Sequence, residues 1–140
     1  MTSSDGPADL LALTRDVADG RHQVPGMSQA RAVCLLTRQA LEQVVDALLD
    51  ARHLACPAAS MRARLIGLGQ AFGTDPEHVA YRAESAWSRL SAACHHHAYE
   101  LSPSSSEART LVEEVDWLSR QYQFQILLRG EEQQARGSRA

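Results

Sequence analysis

The chain has 140 residues, 44% of them hydrophobic and 5% aromatic. That is long enough for one domain with its own core, and the core must be built from Leu, Val and Ala. The formal net charge is −3, so no general basic field exists to draw in nucleic acid, and any RNA contact must be local. No stretch approaches the roughly 20 apolar residues of a membrane span. The opening "MTSSDGPADLLAL" also lacks a signal peptide's positive flank and apolar run. Cys34, Cys56 and Cys94 are odd in number and form no C-x-x-C pair, which predicts free thiols, no membrane association and a cytoplasmic location.

The predicted elements follow in chain order. Residues 1–6 are a flexible N-terminus, 7–128 the helical domain and 129–140 a flexible polar tail. A short helix over 7–19 places Leu10, Leu13 and Val17 at helical spacing, and "GRHQVPGM" breaks it. The second helix spans about 28–53. Ser28 is its cap, and Ala30, Val33, Cys34, Leu41, Val44, Val45, Leu48 and Leu49 recur every three or four positions. After "ACPAAS", Ser60 caps a third helix with Met61, Leu65, Leu68 and Phe72 on one stripe. Asp75 and Pro76 read as cap and first position of a fourth helix running to about Leu101. Ser104 and Glu107 then have the capping-box spacing of a fifth helix, whose stripe is Leu111, Val115, Leu118 and Tyr122. Its end, "YQFQILL", reads as helix. The sum is an all-α, antiparallel bundle of four to five helices.

The fourth helix carries the chemistry. At 100° per residue, Val79, Ala83, Ala86, Leu90, Cys94 and Leu101 form the core side. Arg82, Ser85, Arg89, Ala92, Ala93, His96 and Glu100 lie on a second face, with His95 and Tyr99 further round. Arg89 and His96 point the same way but sit about 10.5 Å apart along the axis. Two copies crossing antiparallel at Ala92 and Ala93, beside Ser85, would bring each Arg89 to its partner's His96, so a twofold homodimer is expected.

An arginine followed within a few residues by histidine, late in a long helix of an all-helical domain, resembles the HEPN superfamily. The resemblance covers about residues 28–122 as architecture and 89–99 as motif. It implies a homodimeric, metal-independent endoribonuclease of the toxin–antitoxin, phage-defence or CRISPR kind, with no cofactor. RNA would be its substrate, and a cognate antitoxin or other protein its partner. Arg89, His95 and His96 would be catalytic, and His97, Tyr99 and Glu100 would support or bind. An imidazole would serve as base or acid and the guanidinium would offset charge on the phosphate. One toxin branch reads R-x4-H-x-Y. His97-Ala98-Tyr99 matches its end, while the arginine position falls on Ala92, a turn after Arg89.

Blander readings stand beside this one. The histidine triplet also reads as a polar patch, and Arg89 as a solvated side chain. Consecutive histidines diverge by about 100° and cannot chelate one ion, so a metal site would need His53, Cys56, Cys94 and His97 together. "GLGQAFG" follows a helix rather than a strand and lacks phosphate-loop spacing. Arg15, Arg21, Arg31 and Arg38 form no basic stripe. The competing functional class is a non-catalytic HEPN-like adaptor or regulatory helical-bundle interaction module.

Overall fold

The computed structural model describes residues 6–73, 78–95 and 102–139. Among them are five helices and no strand: α1 (Pro7–Ala18), α2 (Gln29–Ala51), α3 (Met61–Phe72), α4 (Val79–Cys94) and α5 (Ser105–Gly137). The local signals explain most of the boundaries. Pro7 occupies the first turn of α1, where its missing N–H costs nothing. The Ser28 and Ser60 hydroxyls accept the backbone N–H groups of Arg31 and Ala63 at the starts of α2 and α3. Ser104 and Glu107 close a full capping box at the start of α5, with both reciprocal bonds made. Gly73 ends α3 at φ 84°, a conformation that a side chain would strain.

Helix α2 touches each of the other four, whereas α1 meets neither α3 nor α4. Ala32, Val33, Cys34, Ala40, Leu41, Val44, Val45, Leu48 and Leu49 are all buried along it. Thr37 is buried among them, with its hydroxyl donating to Val33 O at 2.6 Å. Specific side chains fix how the neighbours lie. Arg109, near the start of α5, donates to Ala18 O at the end of α1. Gln29, at the start of α2, donates to Val17 O and Ala18 O. At the other end, Arg129 of α5 donates to Ala51 O, the last residue of α2, at 2.8 Å. The guanidinium thereby satisfies a carbonyl left open at that helix end.

Two boundaries and one face differ from the sequence reading. α4 stops at Cys94, and His95 is its C-cap with an extended ψ of 115°. Histidine has weak helix propensity, and helical geometry is lost at His95. The start signal at Asp75 and Pro76 lies outside the described residues. α5 continues to Gly137, through the stretch read as a polar tail from 129. Glu, Gln, Ala and Arg around Gly130 are strong helix formers and outweigh the roughly 1 kcal/mol cost of one glycine. α1 buries Leu11, Thr14 and Val17, while Leu13 faces water. Thr14 can serve in the core because its hydroxyl donates to Leu10 O at 2.7 Å.

Leu41 is wholly buried at the middle of α2. Leu41→Ala is expected to lower unfolding free energy by about 2–5 kcal/mol, measured by urea denaturation followed by circular dichroism.

Candidate functional site

Helix α4 places the residues of interest. Ala80, Ala83, Ala86 and Leu90 bury one side of it, with Val79 and Cys94 packed at the edge. Arg89, Ser85 and Ala92 are exposed. Ala93 packs against the core, so the alanine pair expected to form a dimer contact is divided between solvent and interior. The shared face of Arg89 and His96 required an unbroken helix, and α4 ends before the histidines. His95 is exposed at the C-cap. His96, His97, Tyr99 and Glu100 lie outside the described residues.

The guanidinium groups nearest that end of α4 come instead from α2. Arg38 stacks on the Trp87 ring at 4.3 Å. Both Arg38 and Arg31 act electrostatically on the Cys94 thiol, which burial nevertheless raises above its ordinary value. Neither arginine has a carboxylate within ion-pair distance among the described residues, and Arg38 Nε is buried without a hydrogen-bond partner. The other two arginines of the scatter are engaged. Arg15 faces Glu113 and Asp116, and Arg21 faces Asp16. The seven-residue spacing of Arg31 and Arg38, two turns on one helix side, was the available signal for the pair.

A second cationic residue, Arg82, is held between α4 and α5. It makes two bonds to Glu114, at 2.6 and 3.0 Å, and lies over the Trp117 ring at 3.5 Å. The side-chain hydrogen bond from Arg82 is the main cause holding the Glu114 carboxyl below its ordinary value, with a smaller contribution from the charge of Arg89. Bidentate pairing of this kind anchors a helix seam.

The metal alternative does not assemble. Cys94 acts electrostatically on Cys34, near the start of α2, whereas His53 and Cys56 follow the far end of that helix. Cys34 and Ala51 are about 25 Å apart along that helix at 1.5 Å per residue. The His53 Nε2 is also taken, 3.0 Å from the Arg129 guanidinium, which can only donate. Among the described residues no group of three or more His, Cys, Asp and Glu is placed to hold a metal ion.

A concavity that the sequence reading did not anticipate lies between α3 and α4. It measures about 780 Å³, within the range of ligand and peptide sites. Leu65, Ile66, Tyr81 and Trp87 form its apolar walls, and Arg62 and Glu84 stand at its lips. Ile66 is 59% exposed and Tyr81 51%. Ser91, also in the lining, has a buried hydroxyl without a hydrogen-bond partner. The signal was present in the sequence: Ile66 and Tyr81 stand off the core stripes of their helices.

No family model, curated protein or solved structure was found to match this chain.

Two measurements check this picture. The Glu114 carboxylate binds its proton less tightly folded than unfolded, so its stabilising effect is complete above the ordinary carboxylate range. That effect is lost as pH falls through the lowered value. The thermal midpoint should therefore drop in acid, and Glu114→Gln should flatten that drop while lowering the midpoint at neutral pH. Burial, followed by the charges of Cys94 and Glu107, pushes the Cys34 thiol up to about 11. A thiol reagent at neutral pH is expected to modify exposed Cys56 at once, and Cys34 only when denaturant opens the bundle.

Proposed function

We propose that this protein is a non-catalytic helical-bundle interaction module, an antiparallel HEPN-like bundle that acts by docking another polypeptide. The observation that carries this reading is the open groove between α3 and α4, with Tyr81, Trp87, Leu65 and Ile66 on its walls and few charges at its lips. Aromatic-lined grooves of that size suit an amphipathic helix. The end of α1 meeting the starts of α2 and α5 supports the antiparallel arrangement. Among the described residues no helix is long and apolar enough to cross a membrane.

A second reading, the metal-independent ribonuclease, draws support from one observation. Arg38 stacks on Trp87 of α4 and, with Arg31, acts electrostatically on Cys94, the last residue of that helix, and cationic groups there would suit an RNA phosphate. In that reading Arg89, His95 and His96 do the chemistry in a homodimer joined at Ser85, Ala92 and Ala93. RNA is the substrate and an antitoxin-like protein the partner.

RNA cleavage by the purified protein in a chelator distinguishes the two. The interaction module is expected to cleave at background, with Arg89→Ala, His95→Ala and His96→Ala indistinguishable from wild type. Cleavage that any of these lowers by about 100-fold, the scale of a lost acid or base, would establish the ribonuclease instead.

A further inference from the structure

The distal half of α5 presents an apolar ridge that nothing in the bundle covers. Leu127 is 67% exposed and Phe124 55%, and Leu128 stands beside them. Their spacing of three and four residues aligns them along one helix face. Arg129 points about the opposite way from Leu127, and it is bonded to Ala51 O and to His53. That attachment holds the ridge outward. Glu131 continues the same face one turn further on, and neither it nor Glu132 has an ion pair among the described residues.

We propose that the ridge of one chain docks in the α3/α4 groove of a second copy, and reciprocally, forming a twofold dimer. This rests on the reading of the protein as an interaction module and names its partner. The charges match along the groove. α3 and α4 are joined by a short connection, so Arg62 near the start of α3 faces the end of α4 where Ser91 lies, and both line the groove. Arg62 has no carboxylate partner among the described residues, and the Ser91 hydroxyl is buried without one. Phe124 set against Tyr81 and Ile66, with Leu127 and Leu128 on Leu65 and Trp87, brings Glu131 to Arg62 and Ser91. The seven residues from Phe124 to Glu131 span about 10.5 Å, as do those from Glu84 to Ser91 on the facing wall, one turn beyond Tyr81. Ridge against ridge would cover only Phe124, Leu127 and Leu128 of each chain, well short of the roughly 1,200 Å² buried by a stable dimer. Reciprocal exchange covers both patches of both chains.

The test is the oligomeric state of the full chain by sedimentation equilibrium, read separately from RNA cleavage. Wild type is expected to be a dimer. Leu127→Glu and Ile66→Glu each replace an exposed side chain, so both should keep the wild-type circular dichroism spectrum while weakening the dimer by about 30-fold or more. Arg62→Glu should weaken the dimer, and adding Glu131→Arg should restore it. Two results would overturn the proposal: a wild-type monomer throughout, or a dimer that Ile66→Glu leaves unchanged. Failure here with cleavage at background would leave the interaction module standing with a different partner.

Discussion

Every element of this molecule is placed by the burial of one helix. α2 meets all four of the others, so few of its faces can stay polar, and its 23 residues are accordingly rich in Leu, Val and Ala. Its length exceeds two core layers, and no single neighbour covers it. α1 and α5 close one side and α3 and α4 the other, and contacts at both ends of α2 keep these neighbours in register. Hydrophobic burial supplies the driving force but has little directional content. Direction comes from polar attachments such as Gln29 to the end of α1, Arg109 to the same carbonyls and Arg129 to the end of α2.

Polar groups inside the bundle follow the same economy. Thr14 and Thr37 are buried with their hydroxyls returned to the preceding turn, which removes the cost of an unpaired group without any partner on another helix. Arg82 is treated differently. Its charge is matched by Glu114 and its face by Trp117, so a half-buried guanidinium becomes a link between α4 and α5. Arg38 has the Trp87 face but no carboxylate among the described residues, and Arg31 and Arg62 on the groove lip have no carboxylate among them either. Where a protein leaves charge and apolar surface uncompensated, the surface is more informative than the core.

The sequence made the helical architecture legible because its signals were local and mutually consistent. Ser28, Ser60 and Ser104 each stood in front of a periodic apolar run and each caps a helix. Most of the core stripe of α2 was readable, although Ala32, Thr37 and Ala40 are buried as well and Ala30 only partly, because a helix covered on so many sides buries more than one stripe. The end of α4 was not readable. Apolar periodicity carries through "CHHHAYEL", and the pattern gives no warning that α4 ends at Cys94. The extent of α5 was hidden by the opposite error, because polar composition past Gly130 resembled a tail although its residues are strong helix formers. The groove was least visible of all. It arises where α3 diverges from α4, a relation between two elements that periodicity along either one does not express.

The scarcity of aromatic residues has a practical side. The two indoles occupy separate and functionally distinct surroundings, Trp87 at the groove wall beneath Arg38 and Trp117 beneath Arg82 on the α4/α5 seam. Each is therefore a built-in optical reporter. With the other replaced by phenylalanine, the emission of Trp87 follows whatever enters the groove, and that of Trp117 follows loosening of the seam. Occupancy and integrity of the bundle thus emit from different places in one unlabelled chain.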